Sequence, residues 1–254
     1  MLKRREKARI IKYVVSILSI GFFIGLFYVF LYSQIFKVKS IEIKTNESQK
    51  DRVLSAIIAD ISSRHKILSI LSPDNILFWE LGSDATSTIP VPDIKSVSIT
   101  SLFFKKKVEI TTEERKIKYV ACRINQECFR MDEDGIVFKE APNMEGYLIT
   151  KIIDENNVVP IFGKPLIQNK EWQLNMFAVM NVLKANNMPV KEIRIKEYAL
   201  REYEAIFNSG VRLRFDFDVF PKNFDSILKN TTKTISLDKI EYIDFRIPNK
   251  IFYK

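Results

Sequence analysis

Residues 13–36 read YVVSILSIGFFIGLFYVFLYSQIF, and none of these 24 side chains is charged. Fifteen of them are Leu, Ile, Val or Phe. As an α-helix the segment would extend about 36 Å, at about 1.5 Å per residue, which is enough to cross a hydrocarbon core of roughly 30 Å. A helix in a soluble core would show a polar stripe, whereas the clearly polar residues here are three serines and one glutamine. We therefore predict a transmembrane helix over residues 13–36.

The N-terminal flank predicts the orientation of that helix. Residues 1–12, MLKRREKARIIK, hold six Lys or Arg and one Glu, a net charge of +5. Clustered basic residues next to a span stay in the cytoplasm, so the long C-terminal part is expected outside the membrane. The alternative is a cleaved signal peptide, whose apolar region is about 7–15 residues long and ends at a small-residue cleavage site. The segment here is longer and lacks an A-x-A-like site, which favours a retained anchor.

The charge of the chain is explained mainly by this tail. The whole chain carries +9 at pH 7, so +4 remains for residues 13–254. Binding to anionic lipid head groups accounts for the basic tail, and we expect no nucleic-acid partner. Within the span, Gly21 and Gly25 form a G-x-x-x-G that lets another helix approach closely, although such pairs also occur in membrane helices that do not dimerise.

The composition argues against several classes of enzyme. Seven scattered glycines provide no Gly-rich phosphate loop. His65 has no second histidine with which to share a metal, and it falls in a polar stretch that predicts a solvated loop. The acidic run at residues 132–134 lacks EF-hand spacing and, with Gly135, predicts a hairpin turn. We expect no catalytic residues, cofactor, metal or small-molecule substrate.

Residues 37–115 predict a small α+β unit. Apolar and charged residues alternate around Ile41 and Ile43, which is typical of a strand, and the next segment has a helical apolar stripe. Ser72-Pro73 is typical of a helix start, with Ser as the cap and Pro in the first turn. The predicted order is β-α-α-β-β, with strands at 37–44, 94–99 and 106–111, helices at 50–62 and after Ser72, and Phe103-Phe104 near the hairpin.

Residues 116–254 predict a larger, mostly antiparallel sheet with helices on one side. Alternating apolar residues predict the strands, and Asn208-Ser209-Gly210 is a hairpin turn between two of them. The predicted strands cover 116–121, 129–131, 136–138, 190–195, 203–207, 211–217 and 240–253, and the predicted helices cover 171–187 and 221–232.

Two cysteines flank the first hairpin of this second unit. If the tip lies at residues 124–126, Cys122 and Cys128 face each other across the strands at a Cα separation of about 4.5–5.5 Å, which suits a disulfide. An extracytoplasmic compartment is oxidising, so we expect the bond, the alternative being two reduced thiols. No C-x-x-C motif is present, which favours a structural bond over a redox role.

The order of segments resembles the FtsQ/DivIB family of bacterial cell-division proteins. The segment FKVKSIEIKTN after the span resembles the entry to a POTRA domain, and IKSVSIT with VEITTEER is similar to its closing strands. MDEDGIVF resembles the motif that opens the family's second, β domain, and IEYIDFRIPNKIFYK resembles its last strand. The resemblance implies a non-enzymatic, single-pass scaffold at the division septum. It implies that the partners are other divisome proteins, including small coiled-coil proteins of the FtsL and FtsB/DivIC type.

The last predicted strand offers a way to bind such a partner. A strand at a sheet edge leaves backbone N–H and C=O groups to which another chain can add a strand, and Pro248 fits an edge because it donates no ladder hydrogen bond. Alternation places Tyr242, Asp244 and Arg246 on one face. It places Ile243, Phe245 and Ile247 on the other face, which we expect to pack on the helices. The predicted partner-binding residues are Tyr242, Asp244, Arg246, Ile247, Asn249, Lys250, Ile251 and Tyr253. The alternative is that this strand merely completes the fold.

Other functions remain open at this point. The strand at Ile41–Ile43 and the Phe103-Phe104 hairpin are candidates for binding a second partner, although both could be ordinary core. A different class is a membrane-anchored envelope enzyme or foldase with a carboxylate site that has no recognisable spacing. A POTRA-bearing transport component would normally continue into a long β-barrel, for which the remaining chain is short.

Overall fold

A computed structural model describes residues 4–254 except 65, 67, 84–90, 125–126, 143–148, 189, 222, 235–239 and 249, and describes only the backbone of residues 4–11 and 232–234. His65 and Asn249 therefore lie outside the described residues. The chain forms two compact units, Met1–Glu114 and Arg115–Lys254. Helices and sheets are combined in both units, which gives an α+β protein.

The first unit begins with an apolar helix that ends four residues before the end of the predicted span at residues 13–36. Helix α1 spans Arg4–Tyr32, and its part from Lys12 to Tyr32 has a mean hydropathy of 2.5, long and apolar enough to cross a membrane. Its large apolar side chains are exposed on every side, as expected for a helix whose solvent is lipid. A Cβ built on Gly21 or Gly25 would meet no other atom of the described chain within 4 Å. The space beside the G-x-x-x-G is therefore open.

The rest of the first unit has the predicted β-α-α-β-β order. Its strands are β1 (Ser40–Lys44), β2 (Ile94–Leu102) and β3 (Lys107–Glu114), in sheet order β1-β3-β2, and its helices are α2 (Lys50–Arg64) and α3 (Ile76–Gly82). Strand β1 pairs with β3 in parallel and β2 pairs with β3 antiparallel. Residues buried together from the helices and the strands form the core, including Val53, Ile57, Phe78, Trp79, Val97 and Val108.

Helix α3 begins later than Ser72-Pro73 predicts. Its cap is Asn75, whose Oδ1 accepts a hydrogen bond from the Leu77 N–H at 3.0 Å. Ser72 instead closes the preceding turn, where its carbonyl accepts from the Asn75 N–H at 2.8 Å. Asn is as good an N-cap as Ser, so the local signal did not separate the two.

The second unit is built on a large, mostly antiparallel sheet. Among the described residues its order is β13-β12-β11-β10-β9-β7-β4-β5-β6-β8, and three neighbouring pairs, β4–β7, β7–β9 and β11–β12, are parallel. The strands are β4 (Tyr119–Arg123), β5 (Cys128–Met131), β6 (Ile136–Ala141), β7 (Lys151–Asp154), β8 (Lys164–Pro165), β9 (Val190–Ile195), β10 (Glu202–Phe207), β11 (Arg212–Asp216), β12 (Tyr242–Asp244) and β13 (Phe252–Tyr253).

Two helices cover one face of this sheet. Helix α4 (Lys170–Ala185) is capped by Asn169, whose Oδ1 accepts from the backbone N–H of residues 171 and 172. Helix α5 (Phe224–Thr234) lies beside it, since Asn186 donates to the Asp225 carboxylate at 2.8 Å. Both helices share one buried cluster with alternate residues of the strands, among them Val179, Leu183, Phe224, Leu228, Ile193 and Phe215. The opposite face of the sheet carries the alternate, mostly polar side chains.

Candidate functional site

The C-terminal segment forms two short strands rather than the single strand predicted over residues 240–253. Strand β12 runs from Tyr242 to Asp244, and β13 returns antiparallel to it, with Ile243 opposite Tyr253 and Asp244 opposite Phe252. Residues 245–251 join the two. We call residues 242–253 the C-terminal hairpin.

The bend after β12 has a local cause. The Asp244 Oδ1 atom accepts a hydrogen bond from the backbone N–H of Arg246 at 3.0 Å, a side-chain turn that competes with strand extension. Farther on, the Lys250 N–H donates to the Ile247 carbonyl at 3.2 Å and closes a second turn around Pro248. Together these turns send the chain back along β12.

The hairpin makes β13, and not β12, the outer strand. Strand β12 lies between β11 and β13, so its backbone is paired on both sides. Lys254 and Tyr242 exchange backbone hydrogen bonds, at 3.2 and 3.5 Å. Hydrogen-bonded and non-hydrogen-bonded pairs alternate along an antiparallel ladder. Tyr253, the residue before Lys254, therefore directs its N–H and C=O away from β12. The open edge that the sequence placed along residues 240–253 is therefore confined to β13.

The predicted contact residues differ in exposure. Tyr253 is 60% exposed and Ile247 is 49% exposed, whereas Asp244 is 8% exposed. Ile243 and Phe245 are buried in the core as expected, but the prediction that Ile247 packs with them was wrong, because the chain has left the sheet by then. Lys250 is exposed, and Tyr242, Arg246 and Ile251 are half-buried.

Asp244 and Arg246 hold the hairpin in place. The Arg246 Nε donates to Asp244 Oδ1 at 2.9 Å and to Oδ2 at 3.0 Å, and another nitrogen of the same guanidinium pairs with Glu202 on β10. Desolvation alone would raise the pKa of Asp244, but the hydrogen bonds from Arg246 outweigh it and lower the pKa below its ordinary value. The hydrogen bonds to Asp244, partly offset by desolvation and supported by Glu202, raise the pKa of Arg246. Both side chains thus contribute to hairpin structure.

The charged network continues across the outer face of the sheet. The Arg214 Nε lies 3.0 Å from the buried Glu204 carboxylate, and its guanidinium carbon lies 4.2 Å from the centre of the Tyr242 ring. Lys196 supports Glu204 from the other side at 3.3 Å. Tyr242 therefore stacks on an arginine of the same unit.

A groove of about 670 Å³ lies beside the hairpin. One wall is the segment between β11 and α5, and the other is the hairpin loop. Phe220 is 38% exposed at its rim, and Asp218 is already bound by Trp172 and Arg201, at 2.5 and 2.6 Å. Apolar side chains predominate in the lining: Val219, Phe220, Pro221, Ile227, Ile247 and Ile251. Such a surface suits the apolar side chains of another polypeptide.

Sequence reasoning missed this groove, although Val219 and Phe220 are two apolar residues that lie between the predicted strand at 211–217 and the predicted helix at 221–232. Its second wall is more than twenty residues farther along the chain, at residues 245–251. Only the fold brings the two segments together.

The buried carboxylates of the described residues are all engaged. Asp132 pairs with Arg115, Asp154 accepts from the Asn156 N–H at 2.9 Å, and Glu204 and Asp244 pair with arginines as above. Within the ranges that the structure covers, no three His, Cys, Asp or Glu side chains are grouped so that they could hold a metal ion. These carboxylates stabilise turns and strands.

The two cysteines lie directly opposite each other on β4 and β5, with their sulfur atoms 2.09 Å apart, at disulfide bonding distance. Both are nearly buried, and with Val120 they form a small apolar cluster separate from the main core. Ala121, the neighbour of Cys122 on β4, belongs instead to the main core and faces the helices. The bond therefore joins β4 to β5 on the face of the sheet opposite the helices.

No protein-family model matches this sequence, and no curated protein matches it.

Proposed function

We propose that this protein is a non-enzymatic membrane scaffold of bacterial cell division, of the FtsQ/DivIB type. In this proposal α1 crosses the cell membrane once, with the basic tail in the cytoplasm and both units outside. The first unit would be a POTRA-like domain and the second the β domain of that family. The support is the order of parts in the described residues: an apolar helix, a β-α-α-β-β unit, and a larger sheet with β13 at one open edge.

The observation that carries the proposal is the open edge at Tyr253 beside an apolar groove. A partner strand that paired with β13 would gain main-chain hydrogen bonds, while the exposed Phe252 and Tyr253 side chains would select its sequence. The groove offers apolar surface to a further segment of the same partner. Small coiled-coil division proteins of the FtsL and FtsB/DivIC type are the proposed partners, and recruitment of other divisome proteins would follow.

Substitution of Tyr253 tests this mode of binding. Proline removes the outward N–H, so Tyr253→Pro should reduce co-purification of partner proteins by about tenfold or more. Tyr253→Ala is the matched control, because it keeps the N–H and loses the ring; it should retain more binding than the proline variant. Co-purification is measured from membranes of cells in which each variant replaces the original protein.

The folded state of both variants is checked by thermal unfolding, since Tyr253 is exposed and neither change should lower the transition strongly. Full co-purification by a folded Tyr253→Pro variant would refute strand addition at β13.

A further inference from the structure

The turn between β2 and β3 places two phenylalanines and two lysines beside the residues that follow α1. Residues 103–106, FFKK, form this turn, which we call the FFKK tip. Phe104 is 98% exposed, the most exposed of the large apolar side chains described, and Phe103 is 36% exposed. A single exposed apolar side chain needs no explanation by itself, so the position of the tip relative to the apolar helix decides what its exposure means.

Direct contacts join the FFKK tip to the chain that leaves α1. The Phe103 ring lies 5.9 Å from the Phe36 ring, centre to centre, and Phe36 in turn lies 5.3 Å from Phe30 within the helix. The Lys106 Nζ donates to the Gln34 carbonyl at 2.9 Å. The tip is therefore packed against residues that follow the apolar helix by only a few positions.

Hydrogen bonds also join the end of α1 and the residues after it to the start of α3. The Asn75 Nδ2 donates to the Phe30 carbonyl at 2.8 Å, and the Ile76 N–H donates to the Phe36 carbonyl at 2.7 Å. The Val38 N–H donates to the Asp74 carbonyl at 2.7 Å. The helix end, the start of α3 and the hairpin are thus held together within one unit.

The dimensions of a bilayer then locate the tip. The 21-residue apolar segment of α1 from Lys12 to Tyr32 extends about 31 Å, which matches the roughly 30 Å hydrocarbon core. The hydrocarbon core then ends near Tyr32. The head-group layer adds roughly 5–7 Å on each side. Gln34 and Phe36 lie two and four residues beyond Tyr32, so groups in contact with them lie at the depth of the head groups.

We propose that the FFKK tip inserts into the outer leaflet, with Phe104 at the boundary of the acyl chains and Lys105 beside anionic lipid phosphates. This rests on the membrane crossing of the proposed function and is independent of the partner edge at β13. Aromatic rings are favoured at the membrane interface, and a lysine can lay its stem on apolar surface while its ammonium remains among the head groups. The tip would give the first unit a second point of membrane attachment.

Spin labels at two positions of the hairpin test the insertion. Full-length Phe104→Cys and Ser96→Cys chains are labelled and reconstituted into vesicles of phosphatidylcholine and phosphatidylglycerol. Ser96 is exposed on β2, about 20 Å along the strand from Leu102, and is the matched control. The unsubstituted chain, treated with the same label, measures the background from Cys122 and Cys128.

For each spin label, the rate of collision with oxygen, which concentrates in lipid, is compared with the rate of collision with a water-soluble nickel chelate. The ratio of the two rates should be severalfold higher at position 104 than at position 96. Equal ratios, in chains that resist extraction by carbonate, would overturn the insertion and leave the membrane crossing intact; release by carbonate would overturn the crossing itself. Shielding of position 104 from both reagents would also overturn the proposal, because it would show that a protein covers the tip.

Discussion

The guanidinium of Arg246 holds the carboxylate of Asp244, two residues earlier in the chain, through its Nε at 2.9 and 3.0 Å. The same carboxylate accepts the backbone N–H of Arg246. One pair of residues therefore ends β12, turns the chain and fixes the hairpin that carries the open edge.

Replacing Asp244 should destabilise the second unit. Asp244→Asn weakens charge-assisted hydrogen bonds, which contribute about 1.5–3 kcal/mol, and screening by solvent near the hairpin reduces the expected loss to about 1 kcal/mol. Urea unfolding at pH 7, with hydrogen exchange of β12 as a local probe, measures it. Asp225→Asn is the control: it changes an exposed pair with Lys229, keeps an amide oxygen that can accept from Asn186, and should have a smaller effect.

The effect of Asp244 should depend on pH with a defined sign. Folding lowers the pKa of Asp244 below its ordinary value of 3.8, so the folded state favours the charged form. The stabilisation is complete above pH 3.8 and is lost as the pH falls below that value through the lowered native pKa. The stability difference between the original chain and Asp244→Asn should shrink only in that acidic range. A difference that shrinks well above pH 3.8 would contradict the assignment to this carboxylate.

Because Cys122 and Cys128 lie opposite each other on β4 and β5, we expect them to be oxidised in protein purified from the cells that make it. Ellman's reagent should find no free thiol in unfolded, non-reduced protein, and two after reduction. By the loop-entropy model so short a loop gives about 2–3 kcal/mol at most, so Cys122→Ala with Cys128→Ala should lower the unfolding free energy by no more than that. Two free thiols before reduction would show that the bond does not form in the cell.

Much of the fold could be predicted because local sequence patterns determine it. The apolar span, the β-α-α-β-β order and the strands around Asn208-Ser209-Gly210 all follow from periodicity and turn residues. Strands β7 and β8 were missed because their sequences, KIID and KP, show no alternation of apolar and polar side chains. The parallel pairing of Val120 with Lys151 and of Ile152 with Ile193 joins residues far apart in sequence, which no local signal encodes.

The candidate site could be predicted only in part, for the same reason. The C-terminal strip does contain an open edge, but the edge belongs to β13, and Pro248 lies in the turn between β12 and β13 rather than in an edge strand. The bend depends on Asp244 bonding to the backbone two residues on, a geometry that an alternating apolar pattern conceals. The wall at Phe220 required the tertiary fold.

Charges introduced into the groove should weaken partner binding without unfolding the protein. Ile247→Asp and Phe220→Asp both change exposed apolar side chains, and burial of either carboxylate against a partner would be costly. Each variant should reduce partner co-purification by about tenfold, since a loss of about 1.4 kcal/mol has that effect. The control is Val159→Asp, which is 65% exposed and precedes β8 at the other end of the sheet order. An equal loss with Val159→Asp would show that the effect is not specific to the groove.

A scaffold of cell division should be found where the cell divides. A fluorescent protein fused to the basic tail, which is proposed to be cytoplasmic, should give a band at mid-cell during constriction. Binding of the coiled-coil partners is assigned to β13, so the Tyr253→Pro variant itself should still reach mid-cell through other parts of the chain. Its fluorescently tagged coiled-coil partners should no longer form a band there. Tyr253→Ala is again the control. Uniform distribution of the unsubstituted fusion around the envelope would contradict a division role and would favour an envelope enzyme or foldase.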